Sequence, residues 1–157
     1  GDTVIGCGQQ GVLVTLVERK SRYTLAAPLP RRTSALVGQA MIDLLRPHKA
    51  RCKTITLDNG TEFADHEFIA KCLQAKVYFA HPYCSWERGL IENHNGLLRQ
   101  FFPKGSNLLR VSQAQVDEAV SVLNHRPPKC LGCLPPHKGF HGMEMTRLTL
   151  DSVALCT

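Results

Sequence analysis

Residues 53–63 read K-T-I-T-L-D-N-G-T-E-F, and the rest of the chain is organised around this stretch. Ile55 and Leu57 alternate with threonines, which predicts a strand over 53–57 with one apolar face. The Asn-Gly pair at 59–60 is typical of a tight turn. Asp58 is therefore expected at the C-terminal tip of the strand, next to the turn.

Two further acids occupy positions from which they can meet Asp58. Glu92 lies near the start of a segment, 88–102, that can form a helix, and 33 residues separate it from Asp58. Asp2 opens a short predicted strand over 2–5. Three converging carboxylates supply the oxygen ligands that hard cations such as Mg²⁺ prefer. Two such ions about 3.5–4 Å apart can promote an in-line displacement at phosphorus.

Apolar periodicity divides the chain into strands and helices. A nearly continuous apolar run over 12–17 is expected to be a central strand, buried on both faces. A meander of three strands followed by alternating helices and strands predicts a mixed sheet with helices on its faces. The predicted strands cover 2–5, 12–17, 23–29, 53–57 and 77–80, and the predicted helices begin near 34, 65, 88 and 112.

Caps and helical faces can be assigned from residue type and spacing. Ser112 and Gln115 fit a capping box, and Asp65 is a candidate N-cap. In the helix after Asp65, the side chains expected to face inward are Phe68, Ile69, Cys72 and Leu73.

Within 88–102, Glu92, Asn95 and Arg99 fall on one helical face, which presents an acid, an amide and a cation in line. His94 is expected to point away from Glu92, towards the surface. Gly96 is costly in a helix, and it suggests close approach of another group to that face.

Composition narrows the possible classes of protein. The chain has 157 residues, 43% of them hydrophobic and 20% charged, which suits one domain with a substantial core. No apolar run approaches about 18 residues, and no signal-peptide pattern is seen, so we expect no membrane segment. The formal charge of +6 is compatible with a nucleic-acid partner, although charge alone is weak support. Seven scattered cysteines indicate reduced cytosolic thiols rather than a disulfide framework.

Six segments in order along the chain share one further pattern. They are G-D-T-V-I-G at 1–6, L-V-T-L-V-E-R-K-S-R-Y at 13–23, T-L-D-N-G-T-E-F at 56–63, H-P-Y-C-S-W-E-R-G at 81–89, E-N-H-N-G-L-L-R-Q-F-F-P-K-G at 92–105 and L-N-H-R-P-P-K-C-L-G at 123–132. Together with the 33-residue gap, they resemble the catalytic domain of bacterial transposases of the insertion sequence 30 family. That family lies within the wider group of integrases and transposases with a ribonuclease H-like fold.

The resemblance implies a ribonuclease H-like α/β fold, with a five-stranded mixed sheet flanked by helices. Residues 1–125 would form the catalytic core, and 126–157 an irregular C-terminal extension of the same domain. The implied enzyme is a transposase or integrase core that cuts DNA strands and transfers them. Asp2, Asp58 and Glu92 would be its catalytic residues and would bind two Mg²⁺ or Mn²⁺ ions.

The resemblance also implies partners. These are transposon-end DNA and target DNA, with a homodimer or larger assembly, no membrane, and a location in the bacterial cytoplasm at the nucleoid. The side chains expected to contact DNA are Arg99, Asn95, Lys104, Arg88 and Trp86. Two other functions stay open: a ribonuclease H-type nuclease without strand transfer, and a non-catalytic DNA-binding remnant of a transposase.

Some residues allow a second interpretation. Glu62 and Glu87 compete with Glu92 for the place of the third acid, but Glu87 falls in a loop and Glu62 fits better as an accessory residue. A C-x-x-C pair followed by H-x-x-x-H resembles a zinc site, although the two pairs are too close together for ordinary zinc-finger spacing. The residues of that pattern, whose role stays open, are Cys130, Cys133, His137 and His141.

Overall fold

A computed structural model of the chain describes residues 1–81 and 88–142 and shows strands followed by helices in the order of an α/β domain. The strands are β1 (Asp2–Ile5), β2 (Val12–Val17), β3 (Thr24–Leu29), β4 (Thr54–Leu57) and β5 (Lys76–Phe79). The α-helices are α1 (Ser34–Leu45), α2 (His66–Leu73), α3 (Gly89–Leu98), α4 (Gln113–His125) and α5 (Pro136–His141).

The strands form two sheets. β1, β2 and β3 make an antiparallel meander with β2 in the middle, and β4 pairs with β5 in parallel. The five expected strands are present, but in sheets of three and two strands rather than in one clear five-stranded sheet. The nitrogen of Gly1 donates to the carbonyl oxygen of Thr56 at 2.6 Å. This bond places β1 beside β4, but both strands are only four residues long and no ladder develops between them.

Two apolar cores lie on opposite faces of β2, as expected for a central strand. Val14 and Leu16 contribute to the core that packs against α1 and α2. Leu13 contributes to the core that packs against α4 and the segment after α3. Successive side chains of a strand point to opposite faces, so one apolar strand supplies both cores. The first core also includes Val37, Met41, Ile55, Leu57, Phe63 and Ile69, and the second includes Val4, Ala26, Phe102, Leu108, Val116 and Ala119.

The helix caps agree with the sequence at α4 and differ at α2. The Ser112 side chain accepts a hydrogen bond from the backbone of Gln115, and the Gln115 side chain binds the backbone N–H of Ser112, which confirms the capping box. Asp65 lies at the N-cap of α2, but its side chain makes no capping bond. Phe68, predicted to face inward, is 54% exposed. The eight-residue α2 buries the stripe of Ile69, one residue further on, and leaves Phe68 to its side.

The described part of the C-terminal extension contains α5, where irregular structure was expected. Pro136 occupies the first turn of α5, where its fixed φ favours a helix and its missing N–H costs nothing. Phe140 stacks on Tyr23 with ring centroids 4.3 Å apart, and the Arg51 guanidinium lies 5.4 Å from the Phe140 ring centroid. These contacts between distant segments hold the helix against the start of β3. They cannot be predicted from the spacing of apolar residues.

Some expectations fall outside the described residues. Trp86 and Glu87 do, and so does the short element expected near 148–155. Within the described ranges, no helix combines the length and the apolar character needed to cross a bilayer.

Asn124 offers a test of how α4 is attached to the sheet. Its side-chain amide donates to the carbonyl oxygen of Thr24 and accepts from the Thr24 N–H, both at 2.8 Å, and both residues are buried. Asn124→Ala removes both bonds and leaves two backbone groups unpaired, so we expect the free energy of unfolding to fall by about 2–4 kcal/mol. Urea denaturation measures this. The exposed Asn93→Ala is the control and should change stability by less than about 0.5 kcal/mol; equal effects of the two variants would contradict the proposed attachment.

Candidate active site

Asp2 on β1 and Asp58 after β4 converge on one cation. Nη2 of Arg88 lies 3.1 Å from Oδ2 of Asp2 and 3.2 Å from Oδ2 of Asp58. Two of the three predicted acids, which are 56 positions apart in the sequence, therefore share one cationic nitrogen. Their side chains are 12% and 21% exposed, so both lie at the edge of the interior.

Burial makes the negative charge of Asp2 costly. Loss of solvent raises the pKa of the Asp2 carboxyl, while the Thr3 N–H and Arg88 oppose the rise and Asp58 adds to it. The ionised form of Asp2 is thus favoured by a nearby cation and disfavoured without one. An oxygen-only pair with this requirement suits a hard cation.

A chain of hydrogen bonds fixes the Asp2 carboxylate. The Asn95 side chain donates to Oδ2 of Asp2 at 2.9 Å, and the Thr15 hydroxyl donates to Oδ1 of Asn95 at 2.9 Å. The backbone N–H of Thr3 donates to the other oxygen of Asp2 at 2.8 Å. Since Thr15 is on β2 and Asn95 on α3, the orientation of Asp2 depends on three elements.

The turn after β4 fixes the Asp58 carboxylate. The N–H of Gly60 donates to Oδ1 of Asp58 at 3.0 Å, and the Asn59 side chain donates to the carbonyl oxygen of Ala80 at 3.0 Å. A Cβ atom at position 60 would overlap the Glu62 carboxylate and lie 2.9 Å from Oδ1 of Asp58. A larger residue here would force one of the two carboxylates to move.

Glu62 is a buried carboxylate behind the pair. Its oxygens accept hydrogen bonds from the Thr3 hydroxyl at 3.0 Å and from Arg32 at 2.7 Å. Burial acts to raise the pKa of Glu62, but its own backbone N–H, Arg32 and Thr3 outweigh that effect and lower the pKa. The sequence suggested Glu62 as an accessory residue, and the structure gives it bonds to β1 and to the segment before α1.

Glu92 is exposed, and its position on α3 relates it to the pair. It follows Arg88 by four residues and precedes Asn95 by three, and both neighbours contact Asp2. Residues at these spacings share a helix face, so Glu92 lies on the side of α3 turned towards the acids. Across residues 1–81 and 88–142, however, no three His, Cys, Asp or Glu side chains are close enough together to hold a metal ion.

The other predicted contact residues are placed differently from one another. Arg99 donates to the carbonyl oxygen of Ile5 at 2.9 Å and, like Asn95, binds β1. DNA contact by either side chain would require exchange of these bonds, and it stays a prediction. Lys104 is exposed. His94, expected at the surface, is buried with Nδ1 2.9 Å from the carbonyl oxygen of Leu90, and burial lowers its pKa.

The two histidines of the C-x-x-C and H-x-x-x-H pattern pack against each other through their imidazole rings. His137 lies between His141 and His125, at centroid distances of 4.5 and 4.9 Å. Cys130 is exposed. Among the described residues of this cluster, too, no three His, Cys, Asp or Glu side chains are close enough together to hold a metal ion.

Comparison with known proteins identifies sequence relatives of the chain. A scan against models of protein families finds no match. The transposase for insertion sequence element IS4351 of Bacteroides fragilis is 42% identical over 139 residues, which are 88% of this chain and 43% of that protein. Transposase InsI for insertion sequence element IS30A of Escherichia coli (strain K12) is 42% identical over 133 residues, 83% of this chain and 34% of that protein.

The chain is a relative of the insertion sequence 30 transposases. It spans less than half the length of the transposases it matches. A putative integrase, ORF3 of Spiroplasma virus SpV1-R8A2 B, is 30% identical over 141 residues, 88% of this chain and 44% of that protein.

Solved structures show the fold of this transposase relative. The catalytic core domain of BIV integrase has a TM-score of 0.67 at 19% identity, over 90% of this chain and 93% of that one. A chain of the simian T-cell lymphotropic virus intasome, solved in complex with PP2A regulatory subunit B56 gamma, has a TM-score of 0.67 at 23% identity, over 94% and 54%. The ribonuclease H-like α/β fold implied by the sequence is confirmed.

Several contacts of the site were not predicted from sequence, among them the two ion pairs of Arg88, the bond of Thr15 to Asn95, and the bond of Arg32 to Glu62. Arg88 precedes Glu92 by one helical turn, so its place near the acids could have been inferred from spacing. Arg32 lies in a loop 30 residues before its partner, and no local pattern links the two.

Gly60 can be tested by adding one methyl group. Gly60→Ala forces the Glu62 or Asp58 carboxylate to move, so we expect a loss of about 1–3 kcal/mol in the free energy of unfolding and weaker Mn²⁺ binding. Thermal denaturation and calorimetry measure the two effects. Gly96→Ala is the matched control because a Cβ there meets no atom within 4 Å, and it should stabilise α3 by up to about 1 kcal/mol. The same response at both positions would show that the crowding at Gly60 has no energetic consequence.

Glu62 gives a pH-dependent prediction. The folded-state pKa lies below the ordinary value of 4.5, so the carboxylate contributes stability that is fully present above that value and is lost as pH falls through the folded-state pKa. Glu62→Gln should therefore lower the free energy of unfolding by about 1–3 kcal/mol near neutral pH, and the difference should shrink in acid. Melting curves over a pH series measure it, with the exposed Glu118→Gln as control. A difference that grew in acid would contradict the sign.

Proposed function

We propose that this chain is the catalytic core of a DNA transposase, a polynucleotidyl transferase that cuts a DNA strand and joins it to target DNA. One observation supports this above others: Asp2 and Asp58, from separate strands, share a single cation in a chain that is 42% identical to transposases. The reaction would begin with attack of water on a phosphodiester at the transposon end. The freed 3′-hydroxyl would then attack a phosphodiester of the target.

The residues present fit divalent metal ions. The Arg88 guanidinium is the positive charge between two carboxylates, where a metal ion is proposed to bind. The carboxylates would supply the oxygen ligands of Mg²⁺ or Mn²⁺. Asp2 and Asp58 would hold the metal, with Glu92 as the third acid, and two ions are proposed. When bound, such ions activate the attacking oxygen and stabilise the leaving oxygen of an in-line displacement at phosphorus.

The chain itself would supply position rather than covalent chemistry. Asn95 and the Thr3 N–H each donate to one oxygen of Asp2, and the Gly60 N–H donates to one oxygen of Asp58. Such bonds limit rotation of the carboxylates, so little reorganisation is needed when the strand binds. Glu62 contacts both β1, which carries Asp2, and the turn at Gly60, which follows Asp58.

A DNA strand would approach along the exposed side of α3. Glu92 and Gly96 are exposed there, and no atom lies within 4 Å of a Cβ built at Gly96. No group in the described part of the chain therefore approaches Gly96 closely, and we propose that the DNA strand is the group that does so. Lys104 and Arg88 are the proposed phosphate contacts, and the formal charge of +6 favours a polyanion.

The remaining parts of the proposal follow from the relatives. Transposon-end DNA and target DNA are the proposed partners, with a homodimer or larger assembly, and the bacterial cytoplasm, at the nucleoid, is the proposed location. A nuclease that only hydrolyses DNA is less favoured, because the sequence relatives are transposases and a putative integrase. A non-catalytic remnant is less favoured because all three acids are present.

The proposal is tested by joining labelled DNA ends to a plasmid in Mn²⁺ or Mg²⁺. Asp58→Asn and Glu92→Gln should each lower cleavage and joining by at least about 100-fold, since even outer partners of metal ligands are worth 10–100-fold. DNA binding, measured by gel shift, should change little. Glu118→Gln is the control, because it removes the same charge from an exposed position on another helix.

Cut ends without joined product from the intact chain would favour the nuclease. Joining that persists in Asp58→Asn, with the fold unchanged, would sink the assignment of the site.

A further inference from the structure

A guanidinium holds the place that the proposed metal ion needs. One nitrogen of Arg88 bridges Oδ2 of Asp2 and Oδ2 of Asp58 at 3.1 and 3.2 Å. Magnesium takes oxygen ligands at about 2.0–2.1 Å, so an ion held by these two carboxylates would need the place of the nitrogen. The nitrogen and the ion cannot occupy this point together, so one must exclude the other.

Arg88 is only partly satisfied where it lies. Its Nε is buried and has no hydrogen-bond partner among the described residues, while its side chain is 30% exposed. A buried donor without a partner carries a desolvation cost that offsets part of the gain from the two ion pairs. Arg88 is also the N-cap of α3 rather than an interior residue of the helix, and its side chain is partly open to solvent.

We propose that Arg88 is a placeholder cation, which holds Asp2 and Asp58 together in the metal-free protein and is displaced from both carboxylates when a divalent ion binds. The inference rests on the proposed function, since it concerns the same site. The displaced guanidinium stays one helical turn before Glu92, at the edge of the site. A phosphate of the bound DNA strand is the ligand that a guanidinium there would take.

A permanent structural role for Arg88 predicts the opposite behaviour. If Arg88 were a fixed partner that orders the acids for the metal, its removal would weaken metal binding. If it is a placeholder, its removal takes away a competitor and strengthens metal binding. The sign of the change in Mn²⁺ affinity therefore separates the two roles.

The test is calorimetric titration of Mn²⁺ into the intact chain and its variants, without DNA. Arg88→Gln should bind Mn²⁺ about tenfold more tightly, because the metal no longer displaces an ion pair. Arg88→Lys keeps the charge and should stay closer to the intact chain. Arg46→Gln is the control for net charge, since Arg46 is 68% exposed and pairs with Asp43, and it should leave the affinity unchanged.

A second measurement follows thermal unfolding with and without Mn²⁺. In metal-free buffer Arg88→Gln should melt below the intact chain, because the two acids lose their cation. In saturating Mn²⁺ that difference should vanish or reverse. This readout also shows whether the variant folds.

Three outcomes would overturn the placeholder role: Mn²⁺ binding by Arg88→Gln that is no tighter than that of the intact chain, binding by neither protein, or equal melting temperatures in metal-free buffer. If any of them occurs while Asp58→Asn still loses metal-dependent joining, only this inference fails. If Asp58→Asn keeps joining, the proposed function fails, and the titration still reports on Arg88.

Discussion

Two acidic side chains forced together at the edge of the interior require a positive charge beside them, and this requirement organises the centre of the molecule. Two unit charges 4 Å apart interact by about 4 kcal/mol at an effective dielectric constant of 20, and burial adds to the cost of like charges. Burial accordingly raises the pKa of Asp2. Arg88 supplies the compensating charge, and it reaches both Asp2 and Asp58 through one nitrogen. Three segments that are far apart in the sequence meet at that atom.

The bonds of the site also help to hold the junction between the two sheets. β1 belongs to the antiparallel meander and β4 to the parallel pair, and a hydrogen bond from Gly1 to Thr56 brings their edges together. The Thr3 hydroxyl crosses the same junction to bind the Glu62 carboxylate. Because each strand is only four residues long, side-chain bonds carry a share of the junction that a longer ladder would carry alone. A change that loosens the acids is thus expected to loosen the junction as well.

How much could be predicted from the sequence depended on how local the cause was. The β2 strand and the Ser112 cap follow from neighbouring residues, and both were predicted with their bounds nearly correct. The ribonuclease H-like fold came from the order of the motifs, whereas the division into two sheets did not, because it depends on how many bonds form between two short strands. The orientation of Phe68 and the burial of His94 depend on which side of a helix meets the sheet. The residue types within one helical turn do not determine that side. Convergence of the first two acids was established only by the tertiary structure, and the proposed role of Glu92 with them rests on its spacing along α3.

The charges around the pair also bear on Glu92, the proposed third acid. Asp2 and Asp58 with one guanidinium carry a net charge of one negative unit, and a further carboxylate would be repelled. Glu92 is exposed and makes no ion pair within the described part of the chain. Exchange of the guanidinium for a divalent ion would bring the group to neutrality and remove the repulsion. A second ion would make the group positive, and both Glu92 and a phosphate would then be attracted to it. From charge alone we expect exchange of Arg88 for a divalent ion first, then recruitment of Glu92, and only then capture of the DNA strand.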